Sequence, residues 1–143
     1  MFIGKYYNSI DAKNRMIVPQ KHRNELGAGC IITRGFDKCL YIYKVEDWEK
    51  QAEKFDQLPE ADPKVRDFIE SFFGNAQDCE FDSQGRIIIP NHLKEFAEIK
   101  KELVTLGARK RIDVYAKEVF EKPKDKQRVE GAMSFDALIE YNL

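Results

Sequence analysis

The sequence predicts a mainly β fold with helices, built as a pseudo-two-fold pair of similar units around one shared core. Three observations carry this. Asp11-Ala-Lys-Asn-Arg15-Met-Ile-Val-Pro19 recurs 71 residues later as Asp82-Ser-Gln-Gly-Arg86-Ile-Ile-Ile-Pro90, and self-similarity of this kind sets the architecture before any other feature does. The match continues at an offset of 72: Thr33-Arg34-Gly35 answers to Thr105-Leu106-Gly107, Lys38 to Lys110, Tyr43 to Tyr115, Glu46 to Glu118, and Glu49-Lys50 to Glu121-Lys122. Each copy is too short to bury a core alone, so the two copies must share one.

Each copy reads as strand, turn, strand, helix, strand, turn, strand. The segment Gly4–Ile10, with two tyrosines and an isoleucine, suits a strand that ends at Asp11. A type I turn follows in Asp11-Ala12-Lys13-Asn14 and in Asp82-Ser83-Gln84-Gly85, opened by Asp and closed in the left-handed region, which glycine or a short polar side chain takes cheaply. Arg15–Val18 and Arg86–Ile89 are short β-branched runs expected to be strands buried on both faces. Pro19 and Pro90 end them, because proline cannot continue a ladder but fits the start of a helix. The helices are expected over Gln20–Leu26 and Asn91–Ile99. Gly27 and Gly29 release the first copy into a strand over Cys30–Thr33, matched by Glu102–Leu106. Turns at Gly35–Lys38 and Gly107–Lys110 lead into strands over Leu40–Tyr43 and Ile112–Tyr115.

Between the copies an acidic stretch carries Trp48, Ala52 and Phe55 at helical spacing. Leu58-Pro59 through Asp62-Pro63 breaks the pattern, and Val65, Phe68, Ile69, Phe72 and Phe73 restore it, which predicts a helical hairpin. Val119 and Phe120 start a matching helix in the second copy, cut short by Pro123 and the polar run to Gln127. Ser134–Leu143 is expected to dock as a last helix or to stay loose. The units are therefore residues 5–47, a helical insert 48–75, residues 76–119, and a C-terminal segment 120–143.

The net charge of −1 hides a division along the chain. Residues 1–45 carry eight Lys/Arg against three Asp/Glu, and residues 82–117 carry eight against five. The intervening residues 46–81 carry four against eleven, and residues 118–143 carry four against six. Both repeat bodies are basic and both following segments acidic, which gives one particle two faces of opposite sign. No run approaches the roughly 18 apolar residues of a membrane span. Met1–Ile10 has no apolar signal region, so the protein is expected in the cytoplasm, with no membrane partner. Cys30, Cys39 and Cys79 form no Cys-x-x-Cys pair and read as reduced, partly buried thiols.

The chemistry concentrates at the two turns. Arg15 and Arg86 each follow a tight turn and precede an apolar strand that fixes their backbone, the placement from which a guanidinium can fork onto guanine O6 and N7. Lys13 suits a phosphate, whereas its counterpart Gln84 suits a base or sugar. The simpler reading makes Asp11–Arg15 and Asp82–Arg86 internal ion pairs that only clamp the hairpins. Both can hold, since an Asp can orient an Arg whose other donors face outward. Lys5, Lys21, Arg23, Arg34 and Lys38 are candidates for a supporting basic surface.

Catalytic readings fail on the same residues. Asp11 and Asp82 are placed like an aspartic dyad, but an Arg four positions on would keep each ionised and spoil a shared proton. His22 and His92 are not at equivalent positions and lack partners at metal-ligand spacing, and no phosphate loop or Gly-x-Ser-x-Gly occurs. Neither a cofactor nor a small-molecule substrate is expected, and the protein reads as no enzyme.

Asp-x-x-x-Arg between two strands, followed by an apolar triplet, proline and a helix, resembles the signature of SpoVT-AbrB, or swapped-hairpin, DNA-binding domains. Two copies in a chain opening Met1-Phe2-x-Gly4, with Asp82-x-Gln84-Gly85-Arg86 in the second, resemble the MraZ family of bacterial transcriptional regulators over Met1 to about Phe120. The resemblance implies a double swapped-hairpin β-barrel with flanking helices and a homo-oligomeric ring. It implies a nucleoid-associated repressor that binds short direct repeats of double-stranded promoter DNA near the division and cell-wall genes, its own promoter included. Arg15, Arg86, Lys13, Gln84 and Asn14 would be the DNA-contacting residues, and Asp11, Asp82, Gly85, Pro19 and Pro90 the structural ones. Asn14 stands where the family commonly has glycine, a tolerated change. After the enzyme reading, a second rival is an interaction module such as an antitoxin of the same barrel family; such chains usually carry one copy and a disordered tail, and two copies with a helical insert argue against it.

Overall fold

Glycine, proline and the period-2 pattern place most elements within a residue of expectation. The computed structural model describes residues 1–122. In chain order these form β1 (Lys5–Ser9), β2 (Arg15–Ile17), α1 (Gln20–Leu26), β3 (Gly29–Arg34), β4 (Leu40–Tyr43), α2 (Val45–Glu53), α3 (Pro63–Phe72), β5 (Gln77–Glu80), β6 (Arg86–Ile88), α4 (Asn91–Phe96), β7 (Glu102–Gly107), β8 (Arg111–Ala116) and α5 (Lys117–Phe120). β1 starts after Gly4, whose φ of +96° lies outside strand geometry. α4 stops at Phe96, short of the expected Ile99, because Glu98 turns into the left-handed region at φ 57°. Pro63 opens α3 behind Asp62, whose side chain accepts from the Lys64 N–H at 2.9 Å, a cap that satisfies one orphan donor of the first turn. The expected last helix over Ser134–Leu143 and the Pro123–Gln127 run lie outside the described residues.

The strands pair antiparallel throughout, in a six-stranded sheet of order β1-β7-β8-β4-β3-β5 and a separate two-stranded ribbon β2-β6. The copies exchange partners: the first strand of each, β1 or β5, pairs with the third strand of the other, β7 or β3. Tyr41 opposes Asp113 at the sheet centre and Met16 opposes Ile87 in the ribbon, so the pseudo-two-fold axis passes between both pairs. The expected closed barrel is not formed. β1 and β5 are the two edges of the sheet, and the strands that would join them, β2 and β6, are three residues each and pair with one another. Among the described residues the isolated bridge from Ile10, just past β1, to Met16 is the ladder contact between that end of the sheet and the ribbon.

Period 2 divides the central strands between two cores. Leu40 and Ile42 of β4 and Ile112 and Val114 of β8 face a cluster that takes Val18, Leu26 and Ile32 from the first copy and Ile89, Leu93 and Leu103 from the second. Neither copy owns this core. The inner side of the ribbon, Met16 and Ile87, closes it. On the opposite face Tyr41, Tyr43 and Tyr115 meet Phe72 of α3, with Trp48, Phe68 and Phe73 packed around it. Phe72 stacks on Phe68 and Trp48 at ring-centroid distances of 5.2 Å each, and the Thr33 hydroxyl donates to its carbonyl. The helical hairpin is thus an aromatic lid on the sheet.

Truncating that anchor tests the arrangement. Phe72→Ala should destabilise the protein by roughly 3–5 kcal/mol, read as a lower denaturant midpoint; a change of a few tenths would mean that the hairpin does not rest on this ring.

Candidate nucleic-acid interface

Each turn is built on one aspartate carboxylate. Oδ1 of Asp11 accepts from the backbone N–H groups of Lys13 and Arg15, each at 2.9 Å, while Oδ2 accepts from Arg15 Nε at 2.7 Å. The Asp11 N–H donates to the Arg15 carbonyl and the Asn14 N–H to the Asp11 carbonyl, both at 3.0 Å. Asp82 repeats this with Gln84 and Arg86 at the same distances. Both carboxyls are held below the usual value of 3.8, chiefly by the N–H of the arginine four residues on; burial opposes this, and that arginine's side chain and the second backbone N–H add to the lowering. The tips therefore keep ionised carboxylates at neutral pH, and each arginine spends its Nε inward.

The closing residue of each turn locks the tip to the other copy. Asn14 lies at φ 61° and Gly85 at φ 76°, as the turn type requires. The Asn14 carbonyl accepts from Ile89 N–H at 2.8 Å, and the Gly85 carbonyl accepts from Val18 N–H at 3.1 Å. From there the tips diverge. Asn14 Nδ2 donates to Asn91 Oδ1 at 2.6 Å, and Lys94 Nζ donates to Asn14 Oδ1 at 3.0 Å, so both ends of this amide are engaged with α4. At the second tip a Cβ on Gly85 would sit 1.9 Å from Arg23 Nη1, so Arg23 of α1 occupies the space that the glycine leaves. Arg23 and Lys94 are related by the same offset of 71. Nothing in the motif itself marks Lys94; the offset from Arg23 identifies it.

The ribbon presents one face outward. Arg15 opposes Ile88 and Ile17 opposes Arg86, so two arginines and two isoleucines alternate there while Met16 and Ile87 point to the core. Ile17 and Ile88 are 52% and 61% exposed, which corrects the expectation of strands buried on both faces. A lone β-branched run does not reveal how many of its faces are covered. Arg86 Nη1 also lies 4.0 Å from Asp11 Oδ2, joining the two tips in charge. Lys13 and Gln84 are exposed at the turns. Pro19 and Pro90 cap α1 and α4 with ψ of 138° and 146°, ending the ribbon at equivalent points.

The wider set of basic candidates is dispersed over other contacts. Lys5 Nζ stands 5.9 Å from the Tyr7 ring centre and 5.7 Å from that of Phe120, and Arg34 and Lys38 cover the Phe96 ring at 4.5 and 5.4 Å. Lys21 is exposed on α1. His22 is buried edge-on to Phe2 and Tyr6 with Nε2 3.1 Å from the Ile3 carbonyl, while His92 is exposed and 3.3 Å from the Asn75 carbonyl. Among the described residues no group of three or more His, Cys, Asp or Glu is placed to hold a metal ion.

Comparison with known proteins gives one consistent result. A family model described as "MraZ protein, putative antitoxin-like" matches residues 1–70 and 72–137. The chain is 42% identical over 125 residues to a transcriptional regulator MraZ of Clostridium tetani, covering 87% of this chain and 88% of the relative. It is 44% identical over 116 residues to one from Halothermothrix orenii, covering 81% of each. A third, from Desulforamulus reducens, is 38% identical over 140 residues, covering 98% of this chain and 96% of the relative.

Two outcomes follow from the tip geometry. Gly85→Ala should cost about 1–2 kcal/mol through the left-handed backbone alone, plus a part that Arg23→Ala relieves in a double-mutant cycle; strict additivity would contradict the Arg23 contact. Because the folded-state values of Asp11 and Asp82 are depressed, their stabilising contribution is present above pH 3.8 and is lost as pH falls through the lowered values. Carboxyl-carbon NMR titration should give midpoints below 3.8 for both, and a midpoint above it would contradict the bonding described.

Proposed function

The chain belongs to the MraZ family, and from that premise we propose that it is a DNA-binding transcriptional regulator, not an enzyme, whose outward ribbon face reads base edges. The observation that carries the reading is the alternation of Arg15, Ile17, Arg86 and Ile88 on the outward side of a two-stranded ribbon, the isoleucines exposed and the arginines half-buried. A two-stranded ribbon fits the major groove, an arginine can fork onto guanine O6 and N7, and an apolar side chain can meet the thymine methyl. The Asp-bonded Nε fixes each guanidinium, and on this reading the Nη groups would meet the base, Arg86 doing so beside the Asp11 carboxylate that stands 4.0 Å from its Nη1. Lys13 would hold a phosphate and Gln84 a base or sugar. Asn14, its amide engaged with α4, contributes to the tip mainly through shape.

The finer reading is a repressor of the division and cell-wall gene cluster, including its own promoter, in the cytoplasm and associated with the nucleoid. Among the described residues no helix is long and apolar enough to cross a membrane. One subunit offers few base-reading side chains, so affinity would come from a homo-oligomeric ring engaging several short direct repeats at once. On this reading residues 5–47 and 76–119 are the two SpoVT-AbrB repeats, with 48–75 inserted and 120–143 following, and the exchange of β1 and β5 between copies is the swapped-hairpin arrangement.

Binding to DNA from upstream of the chain's own gene tests this. Arg15→Ala or Arg86→Ala should lower the preference for operator over scrambled DNA by about 1–3 kcal/mol, whereas Lys13→Ala should weaken both alike and reduce the salt slope by roughly 1. Unchanged preference in both arginine variants would overturn the readout.

A further inference from the structure

Cys30 and Cys79 lie directly opposite each other where β3 pairs with β5. Directly opposed antiparallel residues have Cα atoms about 4.5–5.5 Å apart, inside the roughly 4.4–6.8 Å that a disulfide spans. The strands approach closely here: a Cβ on Gly29 would come 2.8 Å from the Cys79 carbonyl oxygen. Both are free thiols at 1% and 8% exposure. Their access to solvent differs. Both belong to the shared core, but Cys79 lines a surface cavity of about 330 Å³ with Gln77, Asp78, Glu80, Ile88 and Pro90, and Cys30 does not. Cys39 sits in the aromatic cluster on the other face of the sheet, its thiol pushed up to about 11 by burial.

We propose that Cys30 and Cys79 form a reversible redox site, in which a small hydroperoxide enters the cavity, oxidises Cys79, and Cys30 resolves the product to a disulfide joining the two copies. The asymmetry between the two thiols fits this order. Beside each other, Cys30 is held well above its usual value and Cys79 is lowered, with burial and the Asp78 carboxylate acting the other way on Cys79, whose Sγ lies 3.9 Å from the Gln77 and Ile88 carbonyls. Cys79, having released its proton to water, attacks one peroxide oxygen. An S–O bond forms and the O–O bond breaks, and the departing hydroxide or alkoxide takes up a proton. Cys79 is now a sulfenic acid, oxidised by the two electrons that reduced the peroxide. The Cys30 sulfur then attacks the Cys79 sulfur; the S–S bond forms, the S–O bond breaks, and hydroxide leaves with the Cys30 proton as water. The new bond would fasten the edge strand β5, which leads into the second tip, to the first copy's β3.

The test needs no DNA. The full chain is treated with hydrogen peroxide, denatured in N-ethylmaleimide, and mapped without reduction. The expected result is one intramolecular Cys30–Cys79 peptide pair, Cys39 alkylated, and complete reversal by dithiothreitol. Cys30→Ser should leave Cys79 as a sulfenic acid that dimedone labels, and Cys79→Ser should leave Cys30 unoxidised. Three alkylated cysteines after peroxide, a bond that uses Cys39, or irreversible oxidation of Cys79 in the unaltered chain would each overturn the proposal.

Discussion

The carboxylate of Asp11, and its counterpart on Asp82, is the constraint on which the outward face of this molecule depends. Two oxygens accept three donors: Oδ1 takes two backbone N–H groups and fixes the turn, and Oδ2 takes an arginine Nε and fixes the side chain. One residue therefore sets both the path of the chain and the direction of the guanidinium. Ionisation matters to both, because a neutral carboxyl is a weaker acceptor for charged and backbone donors alike. The spacing Asp-x-x-x-Arg is what lets one carboxylate do both across a four-residue turn.

The tips are not independent loops. Each closing carbonyl, of Asn14 or Gly85, accepts from the strand exit of the other copy, and the ribbon's inner residues Met16 and Ile87 seal a core to which both copies contribute. The duplication consequently yields one object with a two-fold pair of tips. Its symmetry is broken at the closing position: Asn14 reaches out to Asn91 and Lys94, while Gly85 makes way for Arg23. The first tip is held by an amide bridge and the second by a side chain packed on bare backbone. This supports different tolerances to substitution at the two tips; the Asp–Arg bonds within each turn are alike, and Arg86 additionally approaches Asp11.

Much of this was legible in the sequence. The repeat predicted the shared core, the Asn14/Gly85 equivalence predicted left-handed turn ends, and α1 was read with the bounds it has. Three things were not legible. The apolar runs after Arg15 and Arg86 carried no mark that one face would be open, because β-branched residues suit half-covered and fully covered strands equally. The open sheet, with β2 and β6 split off as a ribbon, follows from pairings between residues far apart in sequence, which local pattern does not encode. The engagement of Asn14 with α4, and the facing of Cys30 and Cys79, likewise arise only when the copies exchange strands. Local chemistry was readable, and long-range register was not.

The central claim is that the arginines of the ribbon face read guanines in the major groove. Methylation interference on the DNA upstream of the chain's own gene measures this directly, since a methyl group on guanine N7 blocks the fork without changing the phosphates. The account predicts that guanine N7 methylation at fixed positions within each short repeat abolishes binding by the unaltered chain, and that replacing both arginines by lysine removes this interference while much of the salt-dependent affinity remains. Tight, repeat-dependent binding that is indifferent to guanine N7 methylation would contradict it.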